Sequence, residues 1–284
     1  METSKETHVY GAAIEGRRCD TKEEALEVLR YGVSEARGQI GDEVPLICVT
    51  QELLFGGYGN GVAAMESACW EEIGKDVVAL SEEYPRTLIV VSCPQRTERD
   101  GGEGEMSIVQ VGVLDGEVVG LYAKTHLFSE YETEMFVPGS ELVVFPAFGR
   151  RVGCAICMDL EYPEVLRSLA VMGADVVVVS TALGEGPISV LASCLLRTRA
   201  NENHIHVIYA NGHEPDSFVG GSCIVDPDGV VIALSADHSA TDKPSVVLAP
   251  IPITDVHRAN VERNPYLSHR RPHLYSSLVA SSPS

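Results

Sequence analysis

The chain has 284 residues, 45% of them hydrophobic, and a formal net charge of −20. That is enough apolar material for one large α/β domain or two small ones, and the acidity argues against nucleic-acid and anionic-membrane partners, which need basic surface. No run of ~18 apolar residues is present to span a bilayer, and the polar start Met1-Glu-Thr-Ser-Lys-Glu6 lacks a signal-peptide apolar core, so a cytoplasmic protein is expected.

In chain order, the first apolar run covers residues 9–14 and predicts a strand. Residues 22–37 follow with Ala25, Leu26, Val28, Leu29 and Val33 on one helical face. A second strand is predicted over 45–49, ending just before Glu52 and the glycine-rich Gly56-Gly-Tyr-Gly59. A helix over 61–82 leads to a strand over 87–92. The runs 107–114 and 117–123 predict a hairpin turning at Asp115-Gly116, with Lys124 directly after it. The acidic stretch Glu130-Tyr-Glu-Thr-Glu134 precedes Pro138-Gly139. The strand 151–156 then carries Cys157 at its end, and Asp159, Glu161 and Pro163 break the apolar run and open a helix. Beyond it come a strand over 175–180, a helix over 188–203 and a strand over 205–210. Strands over 217–226 and 230–234 turn at Asp228-Gly229, and a final strand covers 245–250. The tail after Tyr275 is rich in Ser, Ala and Pro and is expected to be loose. No repeat or linker divides the chain. Strand–helix alternation with inserted hairpins points to two sheets covered by helices.

A thiol at a strand-to-helix elbow is a candidate nucleophile, but it needs a base at neutral pH. Glu52 and Lys124 stand in comparable places, each just past an apolar strand. As general base, Glu52 would take the thiol proton. Lys124 would stabilise an oxyanion together with the backbone N–H of Met158. Each residue also has an ordinary structural reading: a buried thiol, a solvated turn acid, an edge-strand lysine. Cys154 and Cys157 form a C-x-x-C, which admits a redox couple or half a zinc site. Residues i and i+3 of a strand face opposite ways, however, and no second pair follows. The eight cysteines are scattered and read as reduced thiols in a cytosolic protein. The glycine-rich loop lacks the Lys-Ser/Thr of a phosphate loop. It reads as a flexible segment at a pocket mouth, with Tyr58 lining the pocket or serving as a surface turn residue. Thr181 and Ala182, after a predicted strand end, are expected to touch substrate.

Taken together, these segments resemble the nitrilase (carbon–nitrogen hydrolase) superfamily. Lys124-Thr-His-Leu127 resembles its K-x-H-L, and Cys157-Met-Asp-Leu-Glu-Tyr-Pro-Glu164 resembles its C-x-D-x-x-x-P-E. Arg199-Ala-Asn-Glu-Asn203 is similar to its R-A-x-E-N, and Asn211-Gly212 and 220–229 are similar to its later strands. The resemblance implies one domain over 1–284 with its core at about 8–275, a loose tail over 276–284, and an α/β four-layer αββα sandwich of two mixed sheets flanked by helices. It implies the catalytic set Glu52, Lys124 and Cys157. A second glutamate six residues before Pro-Gly, here Glu132, would hold the lysine; composition alone does not separate it from Glu130 and Glu134. Tyr58, Met158, Thr181 and Ala182, read from their positions, are the expected substrate contacts. Gln51 departs from the proline usual before the glutamate.

The subgroup resemblance is to simple amidases that release ammonia from a small carboxamide through a cysteine thioester. Leu160 and Glu161 stand where carbamoyl-amino-acid hydrolases often carry arginine, so a neutral or amine-bearing amide is expected. Met158-Asp159 departs from the Trp-Glu of true nitrilases. The alternatives are an N-carbamoyl-amine amidohydrolase and a non-catalytic or redox-sensing thiol protein on the same fold. No cofactor or metal is implied. A homodimer or larger homo-oligomer is, built on residues 163–172 and 264–275.

Overall fold

The computed structural model describes residues 9–97, 105–184, 187–235, 243–252 and 255–279. The first sheet has the order β14-β1-β2-β3-β4-β5, formed by β1 (Tyr10–Glu15), β2 (Leu46–Thr50), β3 (Thr87–Thr97), β4 (Glu105–Leu114), β5 (Glu117–Ala123) and β14 (Ser245–Pro250). β1, β2 and β3 run parallel; β4, β5 and β14 are antiparallel to their neighbours. The second sheet has the order β13-β12-β9-β8-β7-β6, from β6 (Val144–Ala147), β7 (Arg150–Ile156), β8 (Val176–Thr181), β9 (His206–Asn211), β12 (Cys223–Val225) and β13 (Val231–Leu234). Its centre, β7-β8-β9, is parallel and its flanks are antiparallel. β10 (His213–Glu214) and β11 (Phe218–Val219) form a separate short pair.

Three apolar clusters set the layers. The central one joins Ile47, Val49, Val90 and Ile108 of the first sheet to Ile156, Val178, Ile208 and Ile224 of the second. The outer face of the first sheet packs on α1 (Lys22–Ile40) and α3 (Trp70–Glu83) through Leu29, Val33, Ile73 and Val77. The outer face of the second packs on α5 (Pro163–Val171) and α6 (Pro187–Asn203) through Leu166, Leu169, Leu196 and Ala200. Parallel central strands buried on both faces read as continuous apolar runs, and Val176–Val179 is such a run. The result is the expected layering: helices, two mixed sheets, helices.

Local chemistry explains the ends of these elements. Thr21 caps α1 by accepting from the Glu24 N–H, and Gly41, with φ 78°, ends it. Asp115 and Gly116, with φ 49° and 83°, make the hairpin turn. β3 runs past its predicted end through Pro94. It pairs with β2 only as far as Val90, so Pro94 has no β2 neighbour to donate to.

Some predicted elements differ. The helix over 61–82 is two: α2 (Val62–Ser67) and α3, separated by Ala68 and the extended Cys69. The strand over 217–226 breaks at Gly220 and Gly221, whose φ values of 65° and 77° take the chain out of the sheet. β6, α4 (Ser129–Met135) and α7 (Asp255–Arg263) have no apolar period strong enough to announce them. In the tail expected to be loose, Ser276–Val279 forms a 3-10 turn, and 280–284 lie outside the described residues. Among the described residues no helix is long and apolar enough to cross a membrane.

Candidate active site

The C-terminal ends of β2, β5, β7, β8 and β9 converge on one group of polar side chains. Glu52 follows β2 in a tight turn: Leu53 has φ 49°, and its N–H donates to Ser92 Oγ at 3.1 Å. The Glu52 N–H crosses to the other sheet and donates to the Thr181 carbonyl at 3.2 Å. Lys124 follows β5, with its N–H on the Ile108 carbonyl and its own carbonyl accepting from the Gly139 N–H, both at 2.8 Å. A Cβ at Gly139 would lie 2.4 Å from the Ala123 carbonyl oxygen, so the close return of the chain after Pro138 requires glycine.

The side chains of Glu52, Lys124 and Glu132 are buried. Lys124 Nζ donates to Glu52 Oε1 at 2.7 Å and to Glu132 Oε1 and Oε2 at 2.8 and 2.7 Å. Glu132 also accepts from Tyr58 OH at 2.8 Å and from the Phe128 N–H at 2.7 Å. Burying charge is costly unless each member is paired and hydrogen-bonded. Here every oxygen has a partner except Glu52 Oε2, which is buried without a hydrogen bond of normal geometry. The Cys157 thiol interacts with this same carboxyl.

Cys157 opens a 3-10 turn (Cys157–Glu161) at the end of β7 with φ 45°, a left-handed conformation that costs a non-glycine residue free energy. Asp159 holds the elbow. Its Oδ2 accepts from the Ile156 N–H at 2.9 Å and Tyr122 OH at 2.7 Å; its Oδ1 accepts from Thr125 Oγ1 at 2.9 Å and the His126 N–H at 3.1 Å. One carboxylate therefore ties the cysteine turn to the lysine loop. From α6, Arg199 donates to the Leu160 and Glu161 carbonyls at 3.2 and 3.0 Å and closes the other side of the turn.

Electrostatics follow from burial and from two carboxylates facing one lysine. Burial raises the Glu52 pKa, Lys124 pulls it back, and the Glu132 charge pushes it up again; the net shift is upward. Burial alone would lower the Lys124 pKa, but the charges of Glu52, Cys157 and Glu132 outweigh it and keep the ammonium protonated. Burial, and then the Glu52 charge, push the Cys157 thiol up to about 12, against Lys124 and a Thr181 hydrogen bond. The thiol therefore rests protonated beside a carboxyl oxygen able to accept its proton.

A narrow cavity of about 10 Å³, near the least that holds one water, is lined by Glu52, Tyr58, Ala182, Gly212, Phe218 and Arg18, among others. Of the four expected substrate contacts, Tyr58 and Ala182 line it. Thr181 is buried beside the Cys157 thiol instead, and Met158 lies in the 3-10 turn outside the lining. Glu161 is exposed and also outside the lining. Glu132 is buried while Glu130 and Glu134 are exposed. Cys154 is buried in the inter-sheet core and all eight cysteines are free. Among the described residues no cluster of His, Cys, Asp and Glu could hold a metal.

Sequence reasoning missed Asp159 and Tyr122 as a brace, and Arg18 and Phe218 as lining. For Arg18 one signal was available: it follows a parallel strand end, where α/β ligand sites gather. Gln51 shows what replaces the usual proline. Its Oε1 accepts from the Gly16 N–H, and its Nε2 donates to the Gly16 and Arg17 carbonyls, all at 3.0 Å.

The carbon-nitrogen hydrolase family model matches residues 46–261. A Pseudomonas protegens protein described as a hydrolase in the pqqF 5′ region is 32% identical over 243 residues, covering 82% of this chain and 80% of its own. The deaminated glutathione amidase of Rattus norvegicus is 36% identical over 181 residues, covering 58% of this chain and 52% of that enzyme. Among solved structures, an amidase from Nesterenkonia superposes with a TM-score of 0.77 at 25% identity, over 98% of this chain and 99% of that one. A variant of that amidase shows covalent addition of the acetamide moiety of fluoroacetamide at its active site cysteine. The matched span, the two mixed sheets and the amidase likeness lead to one conclusion: this chain belongs to the carbon-nitrogen hydrolase family and is a carbon–nitrogen hydrolase.

Proposed function

We propose that the protein is an amidase that converts a small carboxamide and water to a carboxylate and ammonia through a thioester on Cys157. The observation that carries this reading is Glu52: one carboxyl oxygen is spent on Lys124, the other is buried without a hydrogen-bond partner, and the Cys157 thiol interacts with the carboxyl. In the acylation step Glu52 Oε2 takes the thiol proton as Sγ bonds to the amide carbon. The carbonyl oxygen takes up the negative charge, opposed by Lys124 Nζ and the Met158 N–H, which lies in a first helical turn where backbone donors lack an intrahelical acceptor. The C–N bond then breaks, and the proton held by Glu52 leaves with ammonia. In the second half Glu52 takes a proton from water, hydroxide adds to the thioester carbon, and the C–S bond breaks to return the thiol and the acid. Glu132 acts through Lys124, holding the ammonium with a bidentate contact.

The expectation of a neutral or amine-bearing substrate rested on Leu160 and Glu161 standing where arginine often binds a carboxylate. Glu161 is exposed and outside the cavity lining, whereas Arg18 lines the cavity beside Glu52. A cytoplasmic location is proposed on the eight free thiols, which suit a reducing compartment. A homo-oligomer is proposed on the exposed apolar side chains of Tyr162, Val171, Met172, Leu274 and Tyr275, which lie on or beside α5 and in the C-terminal segment. Sedimentation of the full chain against one ending at Asn264 tests it: equal mass for both removes the role of the tail.

An ammonia-release screen over amides, N-carbamoyl amines and nitriles tests the amidase reading. Amides are expected to turn over, and a slow substrate is expected to leave acyl mass on the peptide containing Cys157. Preference for carbamoyl amines or nitriles, or acyl mass elsewhere, refutes it.

A further inference from the structure

We propose that Arg18 is a specificity-determining residue that binds a carboxylate at the far end of the substrate's acyl chain. The inference rests on the amidase reading and adds a substrate class to it: monoamides of dicarboxylic acids, in which one end is cleaved and the other is held.

The first observation is location. Arg18 lines the narrow cavity beside Glu52 and also lines a larger cavity of about 590 Å³ bounded by the β1–α1 segment, His213 and Lys243. Among the described residues it is the one common to the two linings, which places it between the carboxyl of Glu52 and the larger space.

The second is how firmly the residue is set. Residues 16–19 form no helix or strand, yet they are held from three sides. Gln51 clamps Gly16 and the Arg17 carbonyl, Glu214 Oε2 accepts the Arg18 N–H at 3.0 Å, and Asn60 Nδ2 donates to the Cys19 carbonyl at 3.1 Å. Gly57 allows the approach, since a Cβ there would fall 2.5 Å from that carbonyl oxygen. Gln51 is also the neighbour of Glu52, so the turn that aims the base sets the arginine as well.

The third is charge. The buried cluster holds two carboxylates against one lysine, in a chain of net charge −20. A carboxylate approaching such a site is repelled unless a cation meets it. The Arg18 guanidinium is lightly committed: its Nε lies 3.9 Å from Asp20 Oδ1, and that side chain is 73% exposed. Such surface pairs contribute little, whereas a guanidinium fork matches a carboxylate with two parallel hydrogen bonds. The larger cavity also holds acids. Glu24 Oε2 accepts the Asp20 N–H and Glu15 Oε2 the Ser222 N–H, and Arg17 and Lys243 line the same cavity as these acids and Glu27.

The test compares kcat/KM for butanedioic and pentanedioic acid monoamides with butyramide and valeramide, and with 4-aminobutanamide. The wild type is expected to favour the carboxylate-bearing amides by about ten- to a hundredfold, the range of one charge-assisted contact. Arg18→Gln should remove most of that ratio, Arg18→Lys should keep part of it, and added salt should shrink it. A ratio is independent of the amount of active enzyme, so a partly unfolded variant still reports. If neutral or ammonium-bearing amides win in the wild type, or Arg18→Gln leaves the ratio unmoved, Arg18 is not the reader and the amidase reading stands. If no amide of any charge is hydrolysed, the amidase reading fails and this inference fails with it.

Discussion

The two sheets contribute differently to the site. The first supplies charge: Glu52 and Lys124 sit at its strand ends, fully buried, and are joined by Glu132 from the short helix α4. The second supplies the thiol at a strained elbow and the walls Ala182 and Gly212. Charge in a low-dielectric interior survives only inside a complete network, and the first sheet's residues are correspondingly cross-paired. A thiol is nearly apolar and needs no such network; what it needs is a backbone turn that exposes it, and the second sheet builds that turn around Asp159. The halves meet through polar ties: Ser180 Oγ donates to the Thr50 carbonyl at 2.7 Å, and Gln110 Nε2 donates to Ser180 Oγ at 2.8 Å. Elsewhere the same interface is the apolar central core. A mutation in the first sheet's group should therefore damage fold and chemistry together, and a mutation of the thiol should damage chemistry alone.

The largest effect tests the second half of that contrast. Cys157→Ala should lower turnover by about 10⁴-fold or more while leaving denaturant stability close to wild type. Cys154→Ala, on the same strand but in the core, should do the reverse: turnover kept, about 1 kcal/mol of stability lost. Similar activity losses in both would end the assignment of Cys157.

Glu52→Gln should cost about 10²–10⁴ in kcat/KM. Its pH profile carries a sign. The carboxyl must be ionised to take the thiol proton, and its pKa is raised, first by burial. Wild-type activity is thus present above the raised pKa and lost as pH falls through it, with the acid limb above the ordinary carboxylate range. Residual activity in the Gln variant should lack that limb; an unchanged limb would assign the base elsewhere.

Lys124→Met should cost about 10²–10³ in kcat and, by leaving two buried carboxylates face to face, about 3–5 kcal/mol of stability. A variant as stable as wild type would break the proposed contrast between the sheets. Asp159→Asn keeps the shape but replaces an acceptor oxygen by a donor among four donors, so about 1–3 kcal/mol should be lost. Because the brace joins both halves, activity should fall with it. The smallest effect belongs to Glu161→Gln: within about 0.5 kcal/mol in stability, with no change in the preference between charged and neutral amides.

Much of this architecture is legible locally. Apolar runs broken by turn residues mark eleven of the twelve strands in the two sheets, and Asp115-Gly116 names its own hairpin because both residues tolerate positive φ. The order and spacing around Glu52, Lys124 and Cys157 carry the family resemblance, since each sits one step past a strand whose composition is unmistakable. Other features depend on partners far away in the chain. Nothing in Glu130-Tyr-Glu-Thr-Glu134 says which acid turns inward; α4 does, by placing Glu132 on its buried side, where Lys124 meets the carboxylate. Gln51 looks like a lost proline until Gly16 and Arg17 arrive from another strand end. Arg18 looks like surface charge until Gly212 and Phe218, some 200 residues later in the chain, close the other side of its cavity. Strand and turn preferences act over a few residues and can be read one segment at a time. The pairing of buried charges and the walls of a cavity exist only once distant segments meet, and only the tertiary structure decides them.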